Sequence, residues 1–241
     1  MDNNKDKKWI GWNKPATMLS MMVIVLVGIW AYIWMTGQGP KSVFEFDDGT
    51  TQLWTANGIF DDTGKKYDAG LYKVAHAEQH QYPDKFPCTA ANILKCDPLN
   101  DKNGSLLLSI ADLSVALPTF NFPVDSNYWH IELISPTLSK LFQNKSEFEA
   151  YVGDMFGVDE GHITAELLLY IEDHGTINLL PPIGGVTEQI IAKNGWTKLS
   201  AKFSIPQGTY IRNAVIRIKG DWKIYKLYEG GIFVDHVAGV K

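Results

Sequence analysis

Asn213-Ala-Val-Ile-Arg-Ile-Lys219 decides the fold. In an extended chain successive side chains point to opposite faces, so Val215 and Arg217 share one side while Ile216 and Ile218 share the other. One face buried and one face wet is the pattern of an antiparallel sheet packed on one side. Working outward, the same β-branched and aromatic texture recurs at 43–46, 105–110, 128–134, 164–171, 196–203 and 231–235. Turn residues punctuate these runs: Asp48-Gly49, Asn103-Gly104, His174-Gly175, Pro181-Pro182, Gly184-Gly185, Asn194-Gly195 and Pro206-Gln-Gly208. Seven or more short strands with frequent turns predict an all-β, antiparallel β-sandwich. One helix is expected, over 139–151, where Leu141, Phe142, Phe148 and Tyr151 line a face.

Ahead of this domain, residues 15–40 carry no charge, and Met18 to Met35 form 18 nearly unbroken apolar residues. As a helix that run spans about 27 Å, close to the roughly 30 Å hydrocarbon core of a bilayer. Lys5, Lys7, Lys8 and Lys14 precede it and only Lys41 follows closely, which places the N-terminus on the cytoplasmic side. Trp9 and Trp12 on one side, and Trp30, Tyr32 and Trp34 on the other, match the two aromatic belts. A cleaved signal peptide is the rival, but its apolar core is shorter and ends in a small-x-small site, which Trp34-Met-Thr-Gly-Gln-Gly39 does not offer. The expected organisation is a cytoplasmic tail at 1–14, a transmembrane helix at 15–37, a tether at 38–42 and an extracytoplasmic sandwich at 43–241. That makes a single-pass protein of the cell membrane, with its C-terminal domain periplasmic or extracellular.

The totals of 22 basic and 27 acidic residues, less the four and two before the span, leave 18 against 25 in the remainder. An acidic surface without a basic cluster argues against nucleic acid as a partner. Cys88 and Cys96 sit eight positions apart. Outside the cytoplasm they are expected to pair, closing a loop that contributes about 2.5 kcal/mol in the chain-entropy model; two free thiols are the alternative. There is no Cys-x-x-Cys for zinc or redox work.

Motifs for chemistry are sparse. Gly58 to Gly64, followed by Lys65-Lys66, has five residues between its glycines and lacks the Ser or Thr of a phosphate loop. His76, Glu78 and His80 would share one face of a strand, as a metal cluster or, more simply, a solvated polar face. Asp173-His174-Gly175 reads as turn chemistry. With no nucleophile elbow and no marked acid/base pair, the chain is expected not to be an enzyme. Among the aromatic residues, Trp222, Tyr225 and Tyr228 form the least core-like cluster, following an expected turn at Gly220-Asp221, and are the expected ligand-binding rings. Trp54, Trp129 and Trp196 are expected in the core.

Phe44-Glu-Phe-Asp-Asp-Gly-Thr-Thr-Gln-Leu-Trp54, Asn103-Gly-Ser-Leu-Leu-Leu-Ser109, Trp196 to Pro206, and Ile232-Phe-Val-Asp235 together resemble the landmarks of carbohydrate-binding-module-type jelly rolls, within the galactose-binding-like group. The resemblance spans about 43–240, with 119–160 fitting less well. It implies a jelly roll and, between its first and last strands, a structural calcium held by Glu45, Asp47 and Asp235; ordinary turn acids are the alternative. Two functions follow. The first is a non-enzymatic accessory subunit of a larger integral-membrane complex, held by its helix and its domain. The short tether and the small residues Ser20, Gly28 and Ala31 on the helix suit this reading. The other is a membrane-anchored module that binds a glycan.

Overall fold

The computed structural model describes residues 22–28, 43–67, 72–78, 104–110, 128–154, 163–185, 188–191, 195–221 and 230–241. The chain divides into two compact units, Met1–Lys41 and Ser42–Lys241. In the first, residues 22–28 are helical, and Met22 to Val27 expose their apolar side chains. Met18 and Met35, the ends of the expected membrane span, lie outside the described residues. Among the described residues no helix is long and apolar enough to cross a membrane.

The second unit is built from strands. They are β1 (Val43–Phe44), β2 (Thr55–Asp61), β3 (Lys66–Tyr67), β4 (Tyr72–Glu78), β5 (Gly104–Ile110), β6 (Tyr128–Ile134) and β7 (Glu147–Asp154). There follow β8 (Ile163–Asp173), β9 (Thr176–Leu180), β10 (Gln189–Ile190), β11 (Trp196–Lys202), β12 (Tyr210–Asp221) and β13 (Gly230–Gly239). They pair antiparallel in two sheets. The first runs β11-β7-β13-β5-β4, with β1 added on β13; the second runs β10-β8-β12-β6-β2-β3, with β9 added on β8. Six of the seven expected strand segments are strands over nearly their whole length, and the first, 43–46, is a strand only at Val43–Phe44.

The core follows from the alternation. Ala214, Ile216 and Ile218 of β12, Trp129, Ile131 and Leu133 of β6, and Ala165, Leu167 and Leu169 of β8 are buried in one cluster. Facing strands add Leu106, Leu108, Val152, Leu199, Ile232 and Val234 to the same cluster. Burying each of the larger aliphatic side chains stabilises the fold by roughly 1.5–3 kcal/mol. Trp54 and Trp129 are core residues, as expected, while Trp196 is half-buried.

Two glycines fit where nothing larger does. A Cβ on Gly220 would stand 2.5 Å from Cζ2 of Trp129, its cross-strand partner, and a Cβ on Gly104 would stand 2.5 Å from the carbonyl oxygen of Phe46. The hairpin between β8 and β9 turns on His174 and Gly175, both left-handed at φ 48° and 84°, the backbone of a tight two-residue turn.

Two expectations are corrected. Residues 139–151 are not a helix: a short 3-10 turn (Lys140–Phe142) leads into β7. The spacing of Leu141, Phe142, Phe148 and Tyr151 imitates a helical stripe, but Phe148, Ala150 and Val152 alternate into the core with period two. Nor is Gly220-Asp221 a turn; both continue β12, paired with Trp129 and Tyr128.

Candidate functional site

The outer face of the second sheet carries a row of opposite charges in register. Arg217 on β12 stands across from Glu132 on β6 and from Glu166 on β8. Its Nη2 donates to Glu132 Oε1 at 2.7 Å, its Nε donates to the same oxygen at 3.2 Å, and its Nη1 donates to Glu166 Oε1 at 2.8 Å. Tyr170 Oη donates to Glu132 Oε2 at 2.8 Å, and Asn57 Nδ2 reaches that oxygen from β2 at 3.4 Å. Both carboxylates are nearly covered, Glu132 at 5% exposure and Glu166 at 6%.

The environments of the two differ. Burial opposes ionisation of Glu132, but the hydrogen bonds from Arg217 and Tyr170 outweigh it and hold its carboxyl below the usual carboxylate range. For Glu166 burial wins over the charge of Arg217, and its carboxyl is pushed up. Tyr170 is pushed up to about 12 by burial, by its bond to Glu132 and by that residue's charge, so it remains a neutral donor.

Beside this row runs an aromatic and basic one. Phe60, His130, Lys219 and Thr164 lie across from one another on β2, β6, β12 and β8. The rings of Phe60 and His130 stack with centroids 5.2 Å apart and an interplanar angle of 12°. Burial, then the charge of Arg217, lowers the His130 imidazole, leaving it neutral near pH 7. Lys219 Nζ donates to Glu188 at 2.6 Å and lies 4.7 Å from the ring centre of Tyr128, whose side chain is half exposed. Tyr128, His130, Glu166, Glu188, Arg217 and Lys219, with the turn of Asp61, Asp62, Thr63 and Gly64, line an open cleft of about 440 Å³. Asp61 shapes the turn: its Oδ1 accepts from Thr63 N, Thr63 Oγ1 and Lys65 N at 2.6–2.9 Å.

The acids expected to hold calcium are placed near the chain's first and last strands but do not form an ion cage. Glu45 lies 3.0 and 3.1 Å from His236 Nδ1, and His236 Nε2 is 3.3 Å from Glu149. Burial holds that imidazole down, but Glu45 and Glu149 outweigh it and raise its pKa. Asp47 accepts from Gly104 N at 3.3 Å; Asp235 accepts from Ser105 Oγ at 3.3 Å and from His236 N at 2.8 Å. Calcium needs six to eight oxygens. An imidazole wedged between two carboxylates does not fit that chemistry, and among the described residues no group of three or more His, Cys, Asp and Glu could hold a metal ion.

Trp222, Tyr225, Tyr228, Cys88, Cys96 and His80 lie outside the described residues. His76 sits on β4 with Nε2 buried and, among the described residues, without a hydrogen-bond partner. His174 and Asp173 are exposed and 3.7 Å apart, as a turn pair would be. Gly58 to Lys66 forms β2, its turn and the start of β3 rather than a phosphate cradle. The charged row was not anticipated as a unit. Its signal in the sequence is a charge set beside apolar residues in each of three strands, Glu132, Glu166 and Arg217.

No family model matches the chain, and neither does any curated protein. Solved structures with a similar arrangement include a carbohydrate-binding module of the β-sandwich superfamily, at TM-score 0.46 and 10% identity over 82% of this chain; the chain spans 61% of that structure's length. TmCBM27, a mannan-recognising carbohydrate-binding module, matches at TM-score 0.45 and 13% identity, over 81% of this chain and 93% of its own. A Stig cyclase from Fischerella sp. TAU matches at TM-score 0.38 and 13% identity, over 78% of this chain and 86% of its own. At these values the likenesses carry no argument about function, and the two-sheet assignment rests on the strand pairing itself.

Proposed function

We propose that the Ser42–Lys241 unit is a non-catalytic binding module that takes a saccharide in the cleft on the outer face of its second sheet. The observation that carries this is the Arg217–Glu166 pair beside the His130 ring and the half-exposed Tyr128, all lining one cleft. Saccharide recognition needs fixed polar groups for hydroxyls next to flat rings for C–H faces, and this cleft offers both on a rigid sheet. Hydrolysis of a glycosidic bond requires two carboxyl groups free to act on the sugar. Here Arg217 lies between Glu132 and Glu166 and bonds to both. The N-terminal apolar run, on its sequence alone, is the membrane tether of this reading.

A panel of β-linked hexasaccharides titrated into the full-length chain in mild detergent tests it. Binding of at least one member, lost on Tyr128→Ala with the fold intact by circular dichroism, is the expected result. No binding across the panel, or release of reducing ends, would overturn it.

A second reading, docking on a membrane-protein partner, draws on one feature of the same sheet. Ile177, Leu179, Ile183 and Ile190 expose apolar side chains along the β9 and β10 edge, and exposed apolar edges mark contact sites. Native electrophoresis of the detergent extract separates it from the first: migration as a lone chain counts against docking.

A further inference from the structure

The resemblance to carbohydrate-binding-module jelly rolls implies a calcium between the first and last strands, held by Glu45, Asp47 and Asp235. In this chain an imidazole stands there. β1 is held to β13 by two residue pairs, Val43 with Ala238 and Phe44 with Val237. Beside that short ladder the register of β13 on β7 breaks between Asp235 and Ala238, and His236 at the break is left-handed at φ 44°. Bulges re-aim side chains, and histidine is one of the few residues enriched in that conformation. The ring meets Glu45, from the segment after β1, and Glu149, from β7.

Nδ1 of His236 lies 3.0 and 3.1 Å from the two oxygens of Glu45, and Nε2 lies 3.3 Å from Glu149 Oε1. A neutral imidazole has one N–H and one lone pair, so one nitrogen would turn its lone pair toward a carboxylate. The imidazolium donates from both. The three side chains are only 16% to 21% exposed, which leaves their attraction less screened than in bulk water. Lys198 Nζ meets Glu149 Oε2 at 2.6 Å, so two cations balance the two carboxylates. The remaining acids are engaged as well: Asp235 accepts from Ser105 Oγ and His236 N, and Asp47 from Gly104 N. A calcium ion would have to displace the ring and then meet the ammonium of Lys198.

We propose that His236, as an imidazolium, takes the place of that ion: it ties the segment after β1 to β13 and β7, and leaves the fold independent of calcium. The saccharide reading does not depend on this, nor this on the saccharide reading.

Thermal unfolding of the full-length chain in mild detergent, in EDTA and in millimolar calcium chloride, tests it. The two Tm values are expected to agree, whereas a calcium site filled to a hundred times its Kd would separate them by about 5–10 °C. His236→Asn removes the cation and keeps a residue that tolerates the left-handed backbone. It is expected to lower Tm by several degrees in both buffers. Adding Glu45→Gln to H236N is expected to cost little more, since that carboxylate has already lost its cation. Should H236N fail to fold, Glu45→Gln carries the test: it is expected to lower Tm equally in EDTA and in calcium, where loss of a calcium ligand would lower it in calcium alone. A wild-type Tm that rises by several degrees with calcium, an H236N variant as stable as wild type, or fully additive losses would overturn the inference.

Discussion

Arg217 holds two carboxylates on one guanidinium, each more than nine-tenths covered, so its removal leaves two buried charges without compensation. Breaking such a cluster from one side costs about 3–5 kcal/mol. Arg217→Met is therefore expected to lower the urea midpoint sharply, and R217M/E132Q/E166Q to recover most of the loss. A triple variant as unstable as the single would contradict this account. Glu132 supplies a pH test. Its folded-state pKa lies below the ordinary one, so its contribution is complete at neutral pH and is lost as pH falls through the depressed value. The stability gap between wild type and Glu132→Gln is expected to be widest near pH 7 and to close below about pH 4. A gap that widens on acidification would refute the assignment. The three members of this row were visible in the sequence only one at a time, as Glu132 between Ile131 and Leu133, Glu166 before Leu167, and Arg217 between two isoleucines. That 132, 166 and 217 stand side by side is set by strand register, which no local pattern in any one strand contains.

At the scale of the element, strands with uninterrupted alternation were legible. β6, β8, β11, β12 and β13 lie within a few residues of where their patterns place them. β2 escaped because Asn57-Gly58 interrupts it, and the structure shows why the break is tolerated: a bulge between Ala56 and Ile59 absorbs it. β7 was misread although Glu147-Phe-Glu-Ala-Tyr-Val152 alternates cleanly, because apolar residues of the preceding turn completed a false helical stripe. Packing between elements is tested at the two crowded glycines. Gly220→Ala forces a methyl into the Trp129 ring, and Gly104→Ala forces one against the backbone of Phe46 and Asp47. Each is expected to cost about 1–3 kcal/mol, a loss of several degrees in Tm by calorimetry. An unchanged Tm for Gly220→Ala would mean that the β6–β12 pairing is looser than described.

Over the whole molecule, a sandwich with a charged outer face follows in sequence an N-terminal run whose composition suits a bilayer. The proposed tether predicts that the full-length chain stays with membranes through an alkaline carbonate wash, as integral proteins do; release into the supernatant would remove the tether from the account. The rings expected from the sequence, Trp222, Tyr225 and Tyr228, lie outside the described residues, and the cleft is drawn from other elements. The measurement that decides most directly is covalent mapping: a β-linked hexasaccharide that binds, carrying a photoreactive group, cross-linked to the full-length chain and located by mass spectrometry. Labels on the Asp61–Gly64 turn, Tyr128 and Lys219 are the expected result. Labels confined to residues 222–228, or anywhere off the outer face of the second sheet, would contradict it.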